Sequence, residues 1–308
     1  MSQIETVAKS QDLMAEGIAF VDGDYMPIAE ARIPITDWGF LHSDVTYDVV
    51  AVWGGGFFRL AEHFDRFFRG IGKLQMQSPY KRDEMATILA KCVRRTGLRE
   101  AYVKVMLTRG TPPPGSRDPR ACENRFYAFA IPYVWIASPE KQDQGLHLTI
   151  SSIPRISPES VDPTVKNFHW GDMVQGLFEA YDRGREAPVL TDGKGNITEG
   201  PGFNLFANIG GRLITPASGV LLGITRMTVI ELAQSLNVKV DVGVLTEAEL
   251  RQADEIFLTS TAGGVIPVTC LDDDPIGDGA PGPLTQRLRQ MYWDAHDDDK
   301  YVTRIDYD

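Results

Sequence analysis

The chain is poor in the residues that would take it outside the ordinary globular enzymes. Its 308 residues hold three cysteines, Cys92, Cys122 and Cys270, and no C-x-x-C pair. That excludes a disulfide scaffold, a zinc ribbon and a dithiol redox motif, and it fits a reducing, cytoplasmic setting. The five histidines (His42, His63, His147, His169 and His296) form no H-E-x-x-H pattern, so no metal is expected. No apolar run approaches the ~18 residues of a membrane span. The first residues, MSQIETVAKSQDLMAEG, are too polar for a secretory signal and too poor in arginine for a transit peptide. Positive charge is scarce as well: 31 Lys and Arg against 42 Asp and Glu leave a net charge of −11. Nucleic acid and anionic membranes are therefore poor partners.

What is present is a chain 43% hydrophobic and 24% charged, long enough for about two domains with substantial cores. GIAFVDGDYMPIAEARIPI reads as a hairpin turning at Asp22-Gly23, and TYDVVAVWGGGFFRL as a second turning at Gly54 to Gly56. Helices are expected from about Ala61 to Met76 and from Lys81 to Thr96, the latter stopped by Gly97. TPPPGSRDPRACE breaks all periodicity and makes a loop long enough to suspect a function. IASPEKQDQG is the linker candidate. Beyond it, strands are expected at LHLTISSIPR, APVLTD, ITEGPGFNLFANI, RLITP, VKVDVGVLT and EIFLTSTAGGVIPV. Helices are expected after the lysine at 166, near Ile224 or Thr225, and at GPLTQRLRQMYWDAHD, and Thr246 to Glu249 fits a capping box. The acidic end DAHDDDKYVTRIDYD reads as a solvated terminus. Strands and helices mix without regular alternation, which predicts an α+β fold. The division expected is an N-terminal domain over 1–136 (with 1–16 a terminal extension), a linker over 137–145 and a C-terminal domain over 146–308.

One stretch, VDPTVKNFHWGDMVQG, sets Lys166 among Phe168, His169 and Trp170. An apolar, partly dry site favours the neutral amine, the nucleophilic form of a lysine. The plain alternative is an ordinary lysine at a strand end. Four further features bear on that choice. In ITEGPGFN, Glu199 precedes two glycines, and small neighbours let a flat ligand approach. In LLGITRMTV, Gly223 leads into a helix whose first amides, at Ile224 and Thr225, form an anion seat. TSTAGG adds the Thr261 hydroxyl and the amides of the Gly263-Gly264 turn. In HFDRFFRG, His63 and Arg66 share a helix face, and Arg66 is placed to clamp a phosphate, although Arg69 on nearly the same face keeps a surface role open.

Each feature alone is common, but their order resembles the fold type IV, or class IV, pyridoxal-phosphate aminotransferases over roughly residues 17 to 293. ARIPITDWGFLHSDVTYDVVAVW, DPTVKNFHWGD and TSTAGGVIP look most like the (R)-selective amine transaminases within that class. The resemblance implies a homodimer and a pyridoxal 5′-phosphate cofactor held covalently by Lys166, which then shuttles a proton. It implies that Glu199 faces the pyridine nitrogen. Arg66, the amides of Ile224 and Thr225, and Thr261 would bind the phosphate. It further implies a substrate pocket of His42 and Tyr47 (contributed across the dimer), Val49, Trp170, Thr261 and Ala262, with Arg117 reading a carboxylate and Arg120 as the other candidate. Pro201 stands where related enzymes often have serine. The activity implied is transfer of an amino group from an (R)-configured primary amine to pyruvate or a similar keto acid. A D-amino-acid or branched-chain aminotransferase, an aminodeoxychorismate-type lyase and a non-catalytic cofactor-binding regulator are the alternatives.

Overall fold

Alternating apolar strands and two amphipathic helices build the first of two compact units. The structure is a computed structural model that describes residues 17–308, so the expected extension over 1–16 lies outside the described residues. Among the described residues, the first unit comprises 17–134, Val165–Phe168 and His296–Asp308, and the second comprises Trp135–Thr164 and His169–Ala295.

In the first unit, Ile18–Val21 (β1) and Asp24–Pro27 (β2) form the expected hairpin, with Asp22 at φ 50° and Gly23 at φ 92°. Two consecutive positive-φ residues match the right-handed twist of the paired strands. After a short helix Trp38–Leu41 (α1) come Val45–Trp53 (β3), Gly56–Phe58 (β4), Ala101–Thr111 (β5) and Glu123–Pro132 (β6). The sheet runs Val302–Arg304, β4, β3, β5, β6, β1, β2. Leu60–Lys73 (α2) buries Phe64, Phe67 and Ile71 on one stripe, and His63 and Arg66 share that stripe. Arg82–Thr96 (α3) buries Met85, Ile88, Leu89, Cys92 and Val93 and stops where Gly97 turns left-handed at φ 72°. Both helices pack their apolar stripes into one core with Val50, Val52, Val103, Val105 and Leu107.

The second unit begins with Pro139–Gln144 (α4) and Leu146–Ile150 (β7), followed by Gly171–Asp182 (α5) and Ala187–Val189 (β8). Asn204–Ile209 (β9), Arg212–Pro216 (β10), Ile224–Ser235 (α6) and Val240–Gly243 (β11) follow. Glu247–Leu250 (α7), Glu255–Ser260 (β12), Gly264–Leu271 (β13) and Pro283–Asp294 (α8) complete it. Its sheet order is β11, β10, β9, β12, β13, β7, β8. The Thr246 and Glu249 capping box predicted for α7 is present in both directions. No helix among the described residues is long and apolar enough to cross a membrane.

The architecture is α+β, but several expectations are corrected. The linker expected over 137–145 is mostly α4, because Ser138 caps the Lys141 amide at 3.3 Å and Pro139 occupies the first turn. Residues 165–168, expected in the C-terminal domain, group with the first unit, since the Lys166 carbonyl accepts from the Tyr47 amide and the Thr46 hydroxyl. The acidic tail is not simply solvated: Val302–Arg304 pairs with β4 and Ile305 is buried. Glu199 is not on a continuous strand, for ITEG forms only isolated bridges at Ile197 and Gly200.

Candidate active site

Lys166 is fixed at its root before its side chain does anything. Its carbonyl accepts the Tyr47 N–H at 3.0 Å and the Thr46 hydroxyl at 3.1 Å, both from β3. Gly70 on α2 permits this approach, because a Cβ there would sit 2.6 Å from Thr46 Oγ1. The Lys166 ammonium lies 4.8 Å from the centroid of the Tyr47 ring, which itself packs at 5.0 Å against Phe168. The aromatic surroundings expected from the sequence are thus real, and they are built by β3 as well as by the lysine's own segment.

One turn of α2 and the middle of β3 form a buried polar cluster. Arg66 Nε donates to Asp48 Oδ2 at 2.8 Å and Arg66 Nη2 to Asp48 Oδ1 at 2.7 Å, a two-pronged pair inside the unit. His63 Nδ1 lies 2.7 Å from Asp48 Oδ1. Burial pushes the Asp48 carboxyl up, but Arg66 and His63 outweigh it and hold it far below the usual carboxylate range. His63 is pulled down, first by burial and then by Arg66 and Lys166, against the pull of Asp48. Arg69 is exposed and Arg66 is buried, so the shared helix face expected for His63 and Arg66 is an inward one. Two of the Arg66 donors are committed to Asp48.

In the second unit the sheet gathers three loops at one end. β9 and β12 pair antiparallel with Asn204 opposite Thr259, so the segment before β9 and the segment after β12 emerge together. Before β9 lies Gly200-Pro201-Gly202-Phe203, closed by Phe203 N–H to Gly200 O at 3.3 Å and the reverse bond at 3.2 Å. Proline at the second position and Gly202 at φ 83° in the third are what a type II turn asks for. Pro201 therefore suits its place in the turn. Glu199, just ahead, is buried. Its Oε2 accepts the Leu221 N–H at 2.8 Å and lies 3.5 Å from Asn204 Nδ2, while its Oε1 lies 3.3 Å from Arg155 Nε. Arg155 also holds Asp172 at 2.6 Å. Leu221 is two residues ahead of Gly223, which caps α6, and Ile224 and Thr225 are its first helical residues, both buried. After β12, the Ser260 hydroxyl donates to Gly202 O at 2.8 Å and accepts from the Ala262 N–H at 3.2 Å, which fixes Thr261 between them. The buried Thr259 hydroxyl, two residues from Thr261, has no hydrogen-bond partner among the described residues.

This end of the second unit suits a ligand with a basic ring nitrogen and a phosphate. It offers a buried, fixed carboxylate and, close to the Leu221 amide that holds it, the start of the twelve-residue helix α6, whose first amides have no partner within the helix. An orphaned buried hydroxyl beside Thr261 adds a donor awaiting an acceptor. The residues present therefore fit pyridoxal phosphate.

The remaining expected residues are more scattered. Val49 is buried in β3, whose register alternates it with Asp48. His42 ends α1, exposed, with its ring edge-on to Trp38 at 4.7 Å. Trp170 precedes α5, and its ring approaches Gly202, where a Cβ would lie 3.6 Å from it. Arg117 is exposed in its loop, and Arg120 is exposed and paired with Asp118 at 2.7 Å. Three residues of these clusters escaped the sequence reading. Asp48 carried a signal, an acid in the middle of a strand otherwise apolar. Lys104 on β5 carried one too, a cation in V-K-V, and its ammonium lies 4.3 Å from the Tyr47 centroid and 4.7 Å from that of Phe168. Arg155 carried none, because its partners lie 17 and 44 residues away.

Comparison with known proteins agrees with this reading. The profile of the amino-transferase class IV family matches residues 46–271. The branched-chain-amino-acid aminotransferase of Pseudomonas aeruginosa is 29% identical over 91% of this chain and 92% of its own length. The D-alanine aminotransferase of Bacillus licheniformis is 29% identical over 87% of this chain and 93% of its own. Among solved structures, the branched-chain amino acid aminotransferase of Escherichia coli superposes with a TM-score of 0.87 at 25% identity, covering 94% of this chain and 99% of that one. Another branched-chain amino acid aminotransferase, solved with pyridoxamine 5′-phosphate, superposes over the same shares with a TM-score of 0.88 at 27% identity. With its two sheets and its profile match over most of the chain, the protein belongs to the class IV aminotransferases and has their fold type IV.

Proposed function

We propose that this aminotransferase moves the amino group of an aliphatic α-amino acid, of the branched-chain or D-alanine kind, to a keto acid in a ping-pong cycle. The observation that carries the reading is the second unit's buried Glu199, held by the Leu221 amide beside the start of α6. The relatives named for branched-chain amino acids and for D-alanine support the substrate class.

Bound pyridoxal phosphate supplies an electron-accepting ring that takes up the electron pair left when the substrate Cα loses its proton. Lys166 would hold the cofactor covalently, and its amine is the group of this chain that would hold and move the proton at the substrate Cα. The bonds from Thr46 and Tyr47 to its carbonyl limit that motion to the side chain. Glu199 would face the pyridine nitrogen, and Arg155 and the Leu221 amide hold its carboxylate in place. Arg66, the Ile224 and Thr225 amides and the Thr261 hydroxyl would bind the phosphate, as the resemblance implies. Val49, Trp170 and Ala262 would line the substrate site together with Tyr47, which packs beside Lys166 of its own chain and not across the dimer as the resemblance implied. His42 would be supplied by the partner in a homodimer, with Arg117 reading the carboxylate. The exposed apolar run around His42, with Ile35 at 78% and Phe40 at 64% exposure, supports a subunit interface there.

A second reading, an (R)-configured primary amine as donor, is favoured by the likeness of ARIPITDWGFLHSDVTYDVVAVW and TSTAGGVIP to the (R)-selective amine transaminases. Mixing cofactor-loaded enzyme with L-leucine, D-alanine or (R)-1-phenylethylamine, one at a time, separates the two. Loss of the cofactor absorbance band with either amino acid is expected. Loss with the amine alone transfers the assignment to the second reading. A Lys166→Ala variant that reacts like wild type with every donor ends both.

A further inference from the structure

The first unit places two lysines against one tyrosine. Lys104 Nζ lies 4.3 Å and Lys166 Nζ 4.8 Å from the centroid of the Tyr47 ring, and Lys104 also lies 4.7 Å from that of Phe168. Among the described residues no carboxylate pairs with Lys104. A half-buried cation without a counter-ion is costly unless its field has a use.

The charged and titratable groups on the elements packed about Tyr47 and Lys166 include Tyr47 and Asp48 on β3, His63 and Arg66 on α2, and Tyr102 and Lys104 on β5. Asp48 and Arg66 cancel one another in their two-pronged pair. Burial pulls His63 down, and so favours its neutral form. Burial pushes the Tyr102 hydroxyl up, so it carries no charge near neutrality either. Lys104 is left as the cation whose charge the unit does not answer. It is on β5, two residues from Tyr102, and β5 is paired with β3 in register, Lys104 opposite Val49. Its place is thus set by two sheet strands rather than by a loop.

We propose that Lys104 is a positioning residue that, by its charge, keeps the Lys166 amine in its neutral form. The inference rests on the role given to Lys166 above. Two ammonium groups facing one ring in a low-dielectric site repel, and the repulsion is relieved when one of them gives up its proton. Burial and the neighbouring Lys166 pull Lys104 itself down to about 8. The effect is therefore strongest below that value and fades as pH rises through it. The sign is fixed: removing the Lys104 charge must raise the pH at which Lys166 loses its proton.

Trace acetylation of the cofactor-free protein across neutral and alkaline pH, read by mass spectrometry on the Lys166 peptide, measures that midpoint without any turnover. Lys104→Met keeps the aliphatic stem and should raise the midpoint by roughly one pH unit. Lys104→Arg keeps the charge and should leave it low. A midpoint unmoved by Lys104→Met, or moved equally by both variants, overturns the proposal, and the second outcome assigns Lys104 to packing. Borohydride reduction of cofactor-loaded wild type, followed by mapping of the labelled peptide, tests the role of Lys166 separately. A label elsewhere removes that role and leaves the measured coupling of the two lysines standing.

Discussion

Asp48→Asn isolates the electrostatics on which the first unit's polar cluster depends. The Asp48 side chain is 1% exposed and its two oxygens receive Arg66 Nε at 2.8 Å and Nη2 at 2.7 Å. Asparagine keeps the shape and one acceptor, but turns the other oxygen into a donor facing a guanidinium. Each charge-assisted bond contributes about 1.5–3 kcal/mol, and removing one partner of a buried pair costs about 3–5 kcal/mol because the remaining charge is stranded. At about 2–4 °C per kcal/mol for a chain of this size, the melting midpoint should fall by on the order of 10 °C. Asp48→Asn combined with Arg66→Met removes both charges and should recover part of the loss. The acid side gives an independent reading. The folded-state pKa of Asp48 is depressed, so its stabilisation is present above the ordinary carboxylate range and lost as pH falls through the folded value. Asp48→Asn should therefore flatten that part of the acid slope of stability. Thermal scans at neutral and acid pH decide the matter, and a variant melting within about 1 °C of wild type would refute the buried-pair reasoning.

Two further perturbations follow from single contacts. Gly70→Ala should push a methyl group onto the Thr46 hydroxyl and cost about 1–3 kcal/mol of overpacking. Amide exchange should then quicken at Tyr47, whose N–H bonds the Lys166 carbonyl, and unchanged exchange would show that the contact does not hold the lysine segment. Arg155→Met leaves the Glu199 and Asp172 carboxylates facing one another's field without their shared guanidinium, at about 3–5 kcal/mol. A melt like that of wild type for Arg155→Met, or no recovery on restoring the charge with lysine, would count against that role.

What the sequence showed of this structure is what depends on near neighbours. The Asp22-Gly23 hairpin, the Gly97 stop and the Thr246 and Glu249 capping box each need only a few adjacent residues, and each is present. The start of α6 at Ile224 was legible for the same reason. Readings failed where distant chain decided the outcome. SPEKQDQ has linker composition, yet Ser138 and Pro139 start a helix there. Glu199 was legible as a carboxylate beside glycines, but its hold on Leu221 and Arg155 joins residues 22 and 44 apart. Arg66 was legible as sharing a helix face with His63, with a surface role left open, and neither its burial nor its bond to Asp48 was, because a helix period says nothing of the strand opposite. The substrate specificity implied by the resemblance differs from the substrates in the names of the relatives.

The strand Val302–Arg304 gives the last residues of the chain a protective part in the first sheet. It covers β4, a strand of three residues, and is followed by Ile305, whose N–H bonds Gly55 O at 3.1 Å, and by Tyr307, whose hydroxyl bonds Leu98 O at 2.7 Å. Clipping these residues would uncover a row of unsatisfied backbone groups flanked by Phe57 and Phe58. An uncovered edge of that kind recruits strands from other molecules. The first sign of damage at this end should thus be clumping in solution, ahead of any change in chemistry. A purification tag fused after Asp308 would lie close to this shield, where trimming by proteases does the most harm.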